Sequence, residues 1–231
     1  MRKFLFILFF CGMVGSVFAQ ESSDNSLVAF LHAGYGYLPN KTSGLTNSSE
    51  SYAKTLSSGM SWNAQLYYQR KKLIIGLLYS GYNSSGSLEH GDDTPQVVDP
   101  SQSQRRPDNR LNSSDHILTT YIAPQFGANI PAGERFSIAF NGGIGGIWYR
   151  NNSTVHDKDR KVTGNSLGLN LCVKGIYNFS EHFGVSLEVL GINAGLNSVD
   201  IKYHDENFEV NYSDKLSLNQ LTFSLGLKYS L

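Results

Sequence analysis

Apolar side chains recur at every second position over the last eleven residues of the chain. They are Leu221, Phe223, Leu225, Leu227, Tyr229 and Leu231. The positions between them hold Thr, Ser, Gly and Lys, none of which is large and apolar. Because successive side chains of a β-strand point to opposite faces, this segment predicts a strand with one apolar face and one small, polar face. The apolar face must contact either a protein core or lipid.

The same alternation predicts eight strands along the chain and no helix. The predicted strands cover residues 27–37, 58–69, 73–82, 116–126, 136–148, 165–177, 183–192 and 221–231. The fourth strand has an ambiguous apolar face. We assign Leu118, Ile122, Pro124 and Phe126 to it, because the opposite choice would place Gln125 on the apolar side.

The predicted connections alternate between long and short. Long polar segments cover residues 38–57, 83–115, 150–164 and 193–215, whereas the other connections are tight turns. One end of the sheet therefore holds three short turns and both termini. This arrangement is typical of bacterial outer-membrane barrels, and closure removes the two edges of an open sheet. We predict an all-β fold, an eight-stranded antiparallel up-and-down transmembrane β-barrel with short periplasmic turns and long extracellular loops.

The charged residues favour lipid over water as the solvent outside the barrel. A soluble barrel would carry many charges on its non-apolar face, yet the first five predicted strands contain no Asp, Glu, Lys or Arg. The last three contain one each, Lys174, Glu188 and Lys228. The rest of that face is mostly Gly, Ser, Asn, Gln and Thr, which suit the narrow interior of an eight-stranded barrel.

Aromatic residues cluster toward the predicted strand ends, where interfacial girdles are expected. The set is Tyr35, Tyr37, Tyr67, Tyr68, Tyr79, Tyr82, Trp148, Tyr149, Tyr177, Phe179, Phe183 and Tyr229. Many are Tyr or Trp, whose polar tips suit a membrane–water interface. The pattern therefore supports a transmembrane barrel.

Residues 1–19 are predicted to be a cleaved signal peptide, so a single barrel domain of residues 20–231 remains. Arg2 and Lys3 precede an apolar run over residues 4–14, which a small-residue cleavage site follows. Cleavage would leave Cys172 as the only cysteine, which excludes an intramolecular disulfide. The formal net charge of zero argues against a nucleic-acid partner. We expect export to the bacterial outer membrane.

The signal peptide, the eight strands, the unequal connections and the terminal Leu-Gly-Leu-Lys-Tyr-Ser-Leu resemble the small eight-stranded outer-membrane β-barrel family over essentially the whole mature chain. Members of this family typically end in an aromatic residue, with another two positions earlier. Tyr229 matches the earlier position and Leu231 departs from the last one. The resemblance implies that the barrel-assembly machinery recognises the terminal strand.

Lys174, Glu188 and Lys228 form the candidate site. A turn centred near Glu181 would place Lys174 directly opposite Glu188, since Glu181 lies seven residues from each. A turn centred at Ser180 would make them diagonal neighbours instead. Both side chains are predicted to point into the lumen. Because an unpaired buried charge is costly, we predict an ion pair that Lys228 joins from the neighbouring strand, closing the barrel as a plug.

Other candidate chemistry is weaker. His32 and His116 are strand histidines, but the sequence places no Ser and acid beside them in a triad. The loop segments 90–93, 156–159 and 204–206 contain His and acidic residues without a recognised metal-ligand spacing. We therefore predict no catalytic, metal or cofactor-binding residues, and no cofactor.

The predicted function is a non-enzymatic structural or surface-interaction role through the extracellular loops. The alternatives are a narrow pore or small-molecule carrier, a lipid A-modifying enzyme such as an acyltransferase or deacylase, and a soluble ligand carrier. The expected partners are outer-membrane lipid and lipopolysaccharide, and the barrel-assembly machinery. We expect a monomer.

Overall fold

The computed structural model describes residues 25–38, 56–88, 113–155, 158–203 and 206–231. The predicted signal peptide lies outside these residues. Nine strands follow one another along the chain: β1 (Asn25–Tyr37), β2 (Ser58–Arg70), β3 (Leu73–Leu88), β4 (Ser113–Pro131), β5 (Phe136–Val155), β6 (Lys158–Asn178), β7 (Phe183–Tyr203), β8 (Glu206–Ser217) and β9 (Gln220–Ser230). Among the described residues, no helix is long and apolar enough to cross a membrane.

Eight of the strands close into a ring of antiparallel pairs. β1 to β7 pair in chain order, and β9 then pairs with both β7 and β1. This arrangement confirms the predicted eight-stranded up-and-down barrel. The predicted turns lie at the ends of the β2–β3, β4–β5 and β6–β7 pairs, at the periplasmic end.

The strands continue beyond the predicted bounds on the extracellular side. Residues 150–164, predicted to be a polar loop, instead extend β5 and β6 as one hairpin that reaches the pair Val155 and Lys158. The alternation persists there, with Asn151 buried and Asn152 exposed. Both faces are polar in this region, because the outer face meets water rather than lipid, so the hydrophobic contrast that marks a strand is lost.

The predicted loop over residues 193–215 is also a hairpin. β7 runs on to Tyr203 and β8 returns beside it, from Tyr203 opposite Glu206 to Gly195 opposite Ser217. β8 is a ninth strand that the sequence did not predict. It pairs only with β7 among the described strands, so it forms an edge of a sheet that rises above the barrel rim.

The outer wall is apolar, as predicted. Of the terminal strand, Leu225 and Leu227 are 63% and 65% exposed, and Leu221, Phe223, Tyr229 and Leu231 also face outward. In the fourth strand Phe126 is exposed and Gln125 is buried, which confirms the chosen face. Such a wall suits contact with acyl chains.

The lumen has three layers rather than the uniformly small, polar lining that was predicted. A lower apolar cluster near the periplasmic turns contains Val28, Phe30, Tyr67, Ile74, Ala139 and Ile176. Above it lies a polar layer built on Lys174 and Glu188. An upper apolar core fills the extracellular half and includes Leu78, Ile117, Ile147, Leu190, Leu196 and Val199.

Three aromatic residues assigned to the girdle belong to this interior instead. Tyr67, Tyr82 and Tyr149 are almost fully buried, because their positions in the strand alternation point inward. Tyr35 and Trp148 do face outward, at 56% and 48% exposure. The girdle is therefore smaller than the sequence suggests, and the polar layer is enclosed above and below by apolar side chains.

Candidate functional site

Lys174 and Glu188 face each other across the β6–β7 pair in the polar layer. The register places residue 174 directly opposite residue 188, as a turn centred near Glu181 requires. Lys174 Nζ lies 3.6 Å from Glu188 Oε2, and both side chains are fully buried. The structure thus brings together two of the three residues of the candidate site.

The Glu188 carboxylate accepts hydrogen bonds from several strands. Asn63 Nδ2 donates to Oε1 at 2.8 Å and Gln65 Nε2 donates to Oε2 at 2.6 Å, both from β2. Cys172 Sγ lies 3.2 Å from Oε2 and Ser224 Oγ lies 3.4 Å from Oε1. A buried carboxylate is tolerated when hydrogen bonds and a cation replace its water, and this one has both.

The Lys174 ammonium is held from the opposite wall of the barrel. It donates to Gln65 Oε1 and to Tyr67 Oη, the latter at 3.1 Å. It also lies 4.5 Å from the ring centroid of Phe30 and 4.4 Å from that of Tyr67, within cation–π range. Gln65 therefore bridges the two charges, since its amide nitrogen contacts Glu188 and its oxygen contacts Lys174.

Lys228 does not join this pair as predicted. Its ammonium donates to Asn178 Oδ1 at 2.7 Å instead, and it is only partly buried. The register explains the difference, because Lys228 lies opposite Gly184, four residues toward the periplasmic turn from Glu188. At about 3.4 Å of rise per residue, that offset is too large for direct contact.

His32 is the main member of the site that the sequence analysis missed. Its Nδ1 lies 3.0 Å from Asn63 Oδ1 and its Nε2 lies 2.9 Å from Ser186 Oγ. Glu188 Oε2 is 3.8 Å from Nδ1. The ring packs against Gly226, where an added Cβ would lie 2.2 Å from His32 Cδ2. His32 on β1 lies opposite Gly226 on β9, and Gly226 lies opposite Ser186 on β7. Because these pairings join distant parts of the chain, no local spacing in the sequence reveals them.

Ser186, His32 and Glu188 have the residue types of a hydrolytic triad. Because an amide oxygen only accepts, Nδ1 donates to Asn63, and Nε2 of the neutral ring then accepts from the Ser186 hydroxyl. However, Ser186 is 2% exposed. At Ser186, β7 pairs with both β6 and β9. The nearby backbone N–H groups therefore donate hydrogen bonds within the sheet rather than to an oxyanion. The three side chains are buried members of the hydrogen-bond network of the polar layer.

The polar layer continues from Tyr67 across the rest of the lumen. Asn141 Nδ2 donates to Tyr67 Oη and to Gln125 Oε1, each at 2.8 Å. Gln125 Nε2 donates to Asn170 Oδ1 at 2.9 Å, and Tyr121 Oη donates to the same oxygen at 3.1 Å. The network therefore links β2, β4, β5, β6 and β7. The cavity beside Lys174 measures about 10 Å³, room for one water at most.

The remaining candidates lie apart from this network. His116 is exposed on the outer face of β4. The His and acidic segment 90–93 lies outside the described residues, as do His156, Asp157, His204 and Asp205. Within the part of the chain that the structure describes, no group of three His, Cys, Asp or Glu residues is placed to hold a metal ion.

The barrel fold is shared with known structures. No protein-family model and no curated protein matches this sequence. A major outer membrane protein from Thermus thermophilus matches with a TM-score of 0.58 at 11% identity, covering 90% of this chain and 100% of that one. The outer membrane protease OmpT from Escherichia coli matches with a TM-score of 0.53 at 9% identity, covering 92% and 99%. The fold is that of an outer-membrane β-barrel. At these identities the likeness concerns the fold alone.

Proposed function

We propose that this outer-membrane β-barrel protein resides in the outer membrane and has a non-enzymatic structural or surface-interaction role through its extracellular region. The observation that carries the proposal is the contrast between a filled lumen and a sheet that projects above the rim. The lumen is occupied by the polar layer and two apolar clusters, which leaves the exterior as the surface for contacts.

The projecting sheet supports the surface role. The β5–β6 and β7–β8 hairpins extend the barrel wall and carry exposed charges of both signs, among them Arg150, Lys161, Asp200, Lys202 and Glu209. Paired strands hold these side chains at fixed spacing, unlike an irregular loop. A rigid polar surface of this kind suits recognition of a macromolecule or of a neighbouring cell.

The alternative of a pore or carrier needs a continuous passage. The bridge from Lys174 through Gln65 to Glu188 spans the lumen, and Leu78, Ile147 and Leu190 fill the space above it. These contacts favour a closed barrel. Single-channel recording in a planar bilayer separates the two roles, since a pore would give discrete current steps.

The alternative of a lipid A-modifying enzyme gains one observation, the Ser186–His32 hydrogen bond near Glu188. The burial of Ser186 counts against access by a lipid substrate. Mass spectra of lipid A from cells with and without the protein should be identical. A mass change that disappears in a Ser186→Ala variant would support the enzyme and overturn the non-enzymatic role.

Outer-membrane fractionation and complementation test the proposal. The variant for comparison replaces residues 152–161 with an Asn-Gly turn, which closes a hairpin between the paired residues Asn151 and Val162. In cells that lack the protein, both forms should fractionate with the outer membrane and restore detergent resistance. Only the full-length form should restore adhesion of the cells to one another or to a surface. Equal adhesion by both forms would contradict a surface role for this hairpin.

We further propose that the barrel is monomeric, contacts lipid and lipopolysaccharide through its apolar wall, and is recognised by the assembly machinery through its terminal strand. Leu231→Ser tests the last point, because it removes the exposed apolar side chain at the end of the terminal strand and keeps the backbone hydrogen bond from Leu231 N to Leu27 O. Slower assembly in cells with normal refolding in detergent is the expected result. Normal assembly of the Leu231→Ser variant in cells would contradict this role.

A further inference from the structure

The barrel wall is interrupted between β6 and β7 on the extracellular side. The two strands are paired up to Gly168 opposite Ala194 and resume at Thr163 opposite Asp200, with a register shift between. Ser166 Oγ donates to the carbonyl oxygen of Gly195 at 2.7 Å within this interval. A side chain thus replaces part of the backbone ladder, and the wall has a local depression.

The depression forms a groove of about 650 Å³ with two unlike walls. One wall continues the lipid-facing surface through Ile144, Leu167 and Leu169, which are 61%, 74% and 55% exposed. The facing wall on β7 presents Asn193 and Asn197. Leu169 and Asn193 are direct partners in the register, so apolar and carboxamide side chains meet along the length of the groove.

The carboxamide side chains that line the groove have donors and acceptors that no described residue satisfies. In the described part of the chain, the side chains of Asn165, Asn193 and Asn197 form no hydrogen bond, and all three are exposed. Asn193 stands beside Leu169 in the apolar wall, where lipid tails offer no hydrogen bonds. A polar group in that setting is costly unless a partner satisfies it. The groove therefore favours a ligand with both acyl chains and polar donors or acceptors.

The charge of the groove narrows the chemistry of that ligand. Among the described residues that line it, none is charged, so a phosphate of the ligand, including those of lipid A, has no partner inside the groove and must lie outside it. Carboxamides bind hydroxyl and amide groups instead. We propose that the groove binds one outer-leaflet glycolipid, with an acyl chain along Leu167 and Leu169 and an acylated amino-sugar head group against Asn193 and Asn197.

This inference rests on the proposed outer-membrane location, since it takes the occupant from the outer leaflet. Continuity with the lipid-facing wall argues for a lipid rather than a soluble ligand. A second barrel is a poorer fit, because its apolar wall offers no hydrogen-bond partner to the Asn193 and Asn197 carboxamides. A phospholipid such as phosphatidylethanolamine shares the acyl chains but lacks the hydroxyl and acylamide groups of an acylated amino sugar, which the carboxamides would bind.

Native mass spectrometry of the refolded protein tests the proposal. The barrel is incorporated into nanodiscs of phosphatidylethanolamine and lipid A in equal amounts, then transferred to mild detergent. The wild type should retain one lipid A molecule. Asn193→Leu and Asn197→Leu should each reduce retention about fivefold to tenfold, the loss expected for one or two hydrogen bonds. Asn152→Leu is the matched control, because Asn152 is an exposed Asn of the projecting hairpin outside the groove, and it should retain lipid A as the wild type does.

A photocrosslinking measurement covers the case in which a groove variant folds poorly. A benzophenone is attached at Asn197→Cys, with Met60→Cys on β2, three strands away from β7 around the ring, as the control. Lipid A should dominate the adducts at residue 197 and match the bulk ratio at residue 60. Preferred phosphatidylethanolamine, a second copy of the chain, or equal adducts at both sites would overturn the inference. Fractionation with the outer membrane does not depend on these residues. A barrel that reaches the outer membrane but retains no lipid A would therefore contradict glycolipid binding in the groove and leave the proposed location intact.

Discussion

The polar layer and the upper apolar core fill the same lumen by different means. In the polar layer, Lys174, Gln65 and Glu188 each have a specific partner at a fixed distance. In the upper apolar core, residues such as Leu196 and Val199 pack without directional bonds. The first arrangement depends on the exact position of each side chain, because a hydrogen bond needs its partner at a given distance and angle. The second tolerates adjustment as long as its volume is kept.

This difference assigns separate tasks to the two regions. The polar layer connects strands on opposite sides of the barrel and therefore fixes the ring as a unit. Leu196 and Val199 are members of the upper apolar core and also lie on β7. The upper apolar core therefore supports β7 and the hairpin that β7 forms with β8. We expect damage to the polar layer to weaken the whole barrel, and damage to the upper core to loosen mainly the projecting sheet.

Replacing Glu188 with Ala should have the largest effect. The change leaves the Lys174 ammonium buried beside Gln65 and Tyr67 without its carboxylate, and removal of one partner of a buried pair costs about 3–5 kcal/mol. The free energy of unfolding, measured by urea titration of the refolded barrel in lipid vesicles, should fall by that amount. The double variant Lys174→Met, Glu188→Leu is the control and should recover part of the loss. An unchanged unfolding midpoint for Glu188→Ala would contradict the pairing.

Replacing Leu196 with Ala should have a smaller and more local effect on the barrel. Leu196 is fully buried in the upper apolar core, and its methyl groups lie against Gly164. Such a truncation costs about 2–5 kcal/mol where neighbours cannot collapse into the space. Hydrogen exchange should accelerate in residues 196–203 and in β8 more than in β1 and β9. Uniform acceleration around the ring would show that the two regions are not separable.

Replacing Gly226 with Ala tests the packing of the polar layer against the wall. The added Cβ would lie 2.2 Å from His32 Cδ2, so the ring must move and strain its hydrogen bonds with Asn63 and Ser186. Overpacking of this kind costs about 1–3 kcal/mol, and urea titration measures it. In a His32→Ala background the same change should be nearly neutral. A full penalty in that background would show that His32 is not the obstacle.

Replacing Lys228 with Met should have the smallest effect. Its ammonium is partly exposed near the periplasmic turn and donates a single hydrogen bond to Asn178. Removing a partly solvated pair of this kind costs about 0.5–1.5 kcal/mol. The urea midpoint should shift far less than for Glu188→Ala. A shift as large as that of Glu188→Ala would show that Lys228 does interact with the Lys174–Glu188 pair.

The sequence predicted the wall well, because lipid contact imposes a strong contrast between its two faces. Leu225 and Leu227 alternate with Ser224 and Gly226, which gave the strand, its face and its outward direction. The short turn between β6 and β7 also limited the Lys174–Glu188 register to two choices, turns centred at Glu181 or at Ser180, and the structure has the first.

Most of the remaining features depend on relations that alternation does not encode. The upper part of β5 has polar residues on both faces, so the period of two carries no hydrophobic signal there. The sequence of strand β8 does alternate, with Phe208, Val210 and Leu216 in one set of alternate positions and Asn207, Glu209 and Ser217 in the other, a signal that the prediction of a loop over residues 193–215 overlooked. The contact of Gln65 with Lys174 crosses the lumen between β2 and β6, and the ring closure that creates it depends on the stagger of all eight strands. Lys228 was misplaced for the same reason.

Tryptophan fluorescence tests most directly the central claim that the apolar face contacts acyl chains while the polar face is enclosed. The chain has two Trp residues, Trp62 and Trp148, and both lie on the outer wall at 45% and 48% exposure. In vesicles of phosphatidylcholine brominated along its acyl chains, their emission should be strongly quenched, and aqueous acrylamide should have little effect. Emission that is insensitive to the brominated lipid but quenched by acrylamide would place these residues in water and contradict the account.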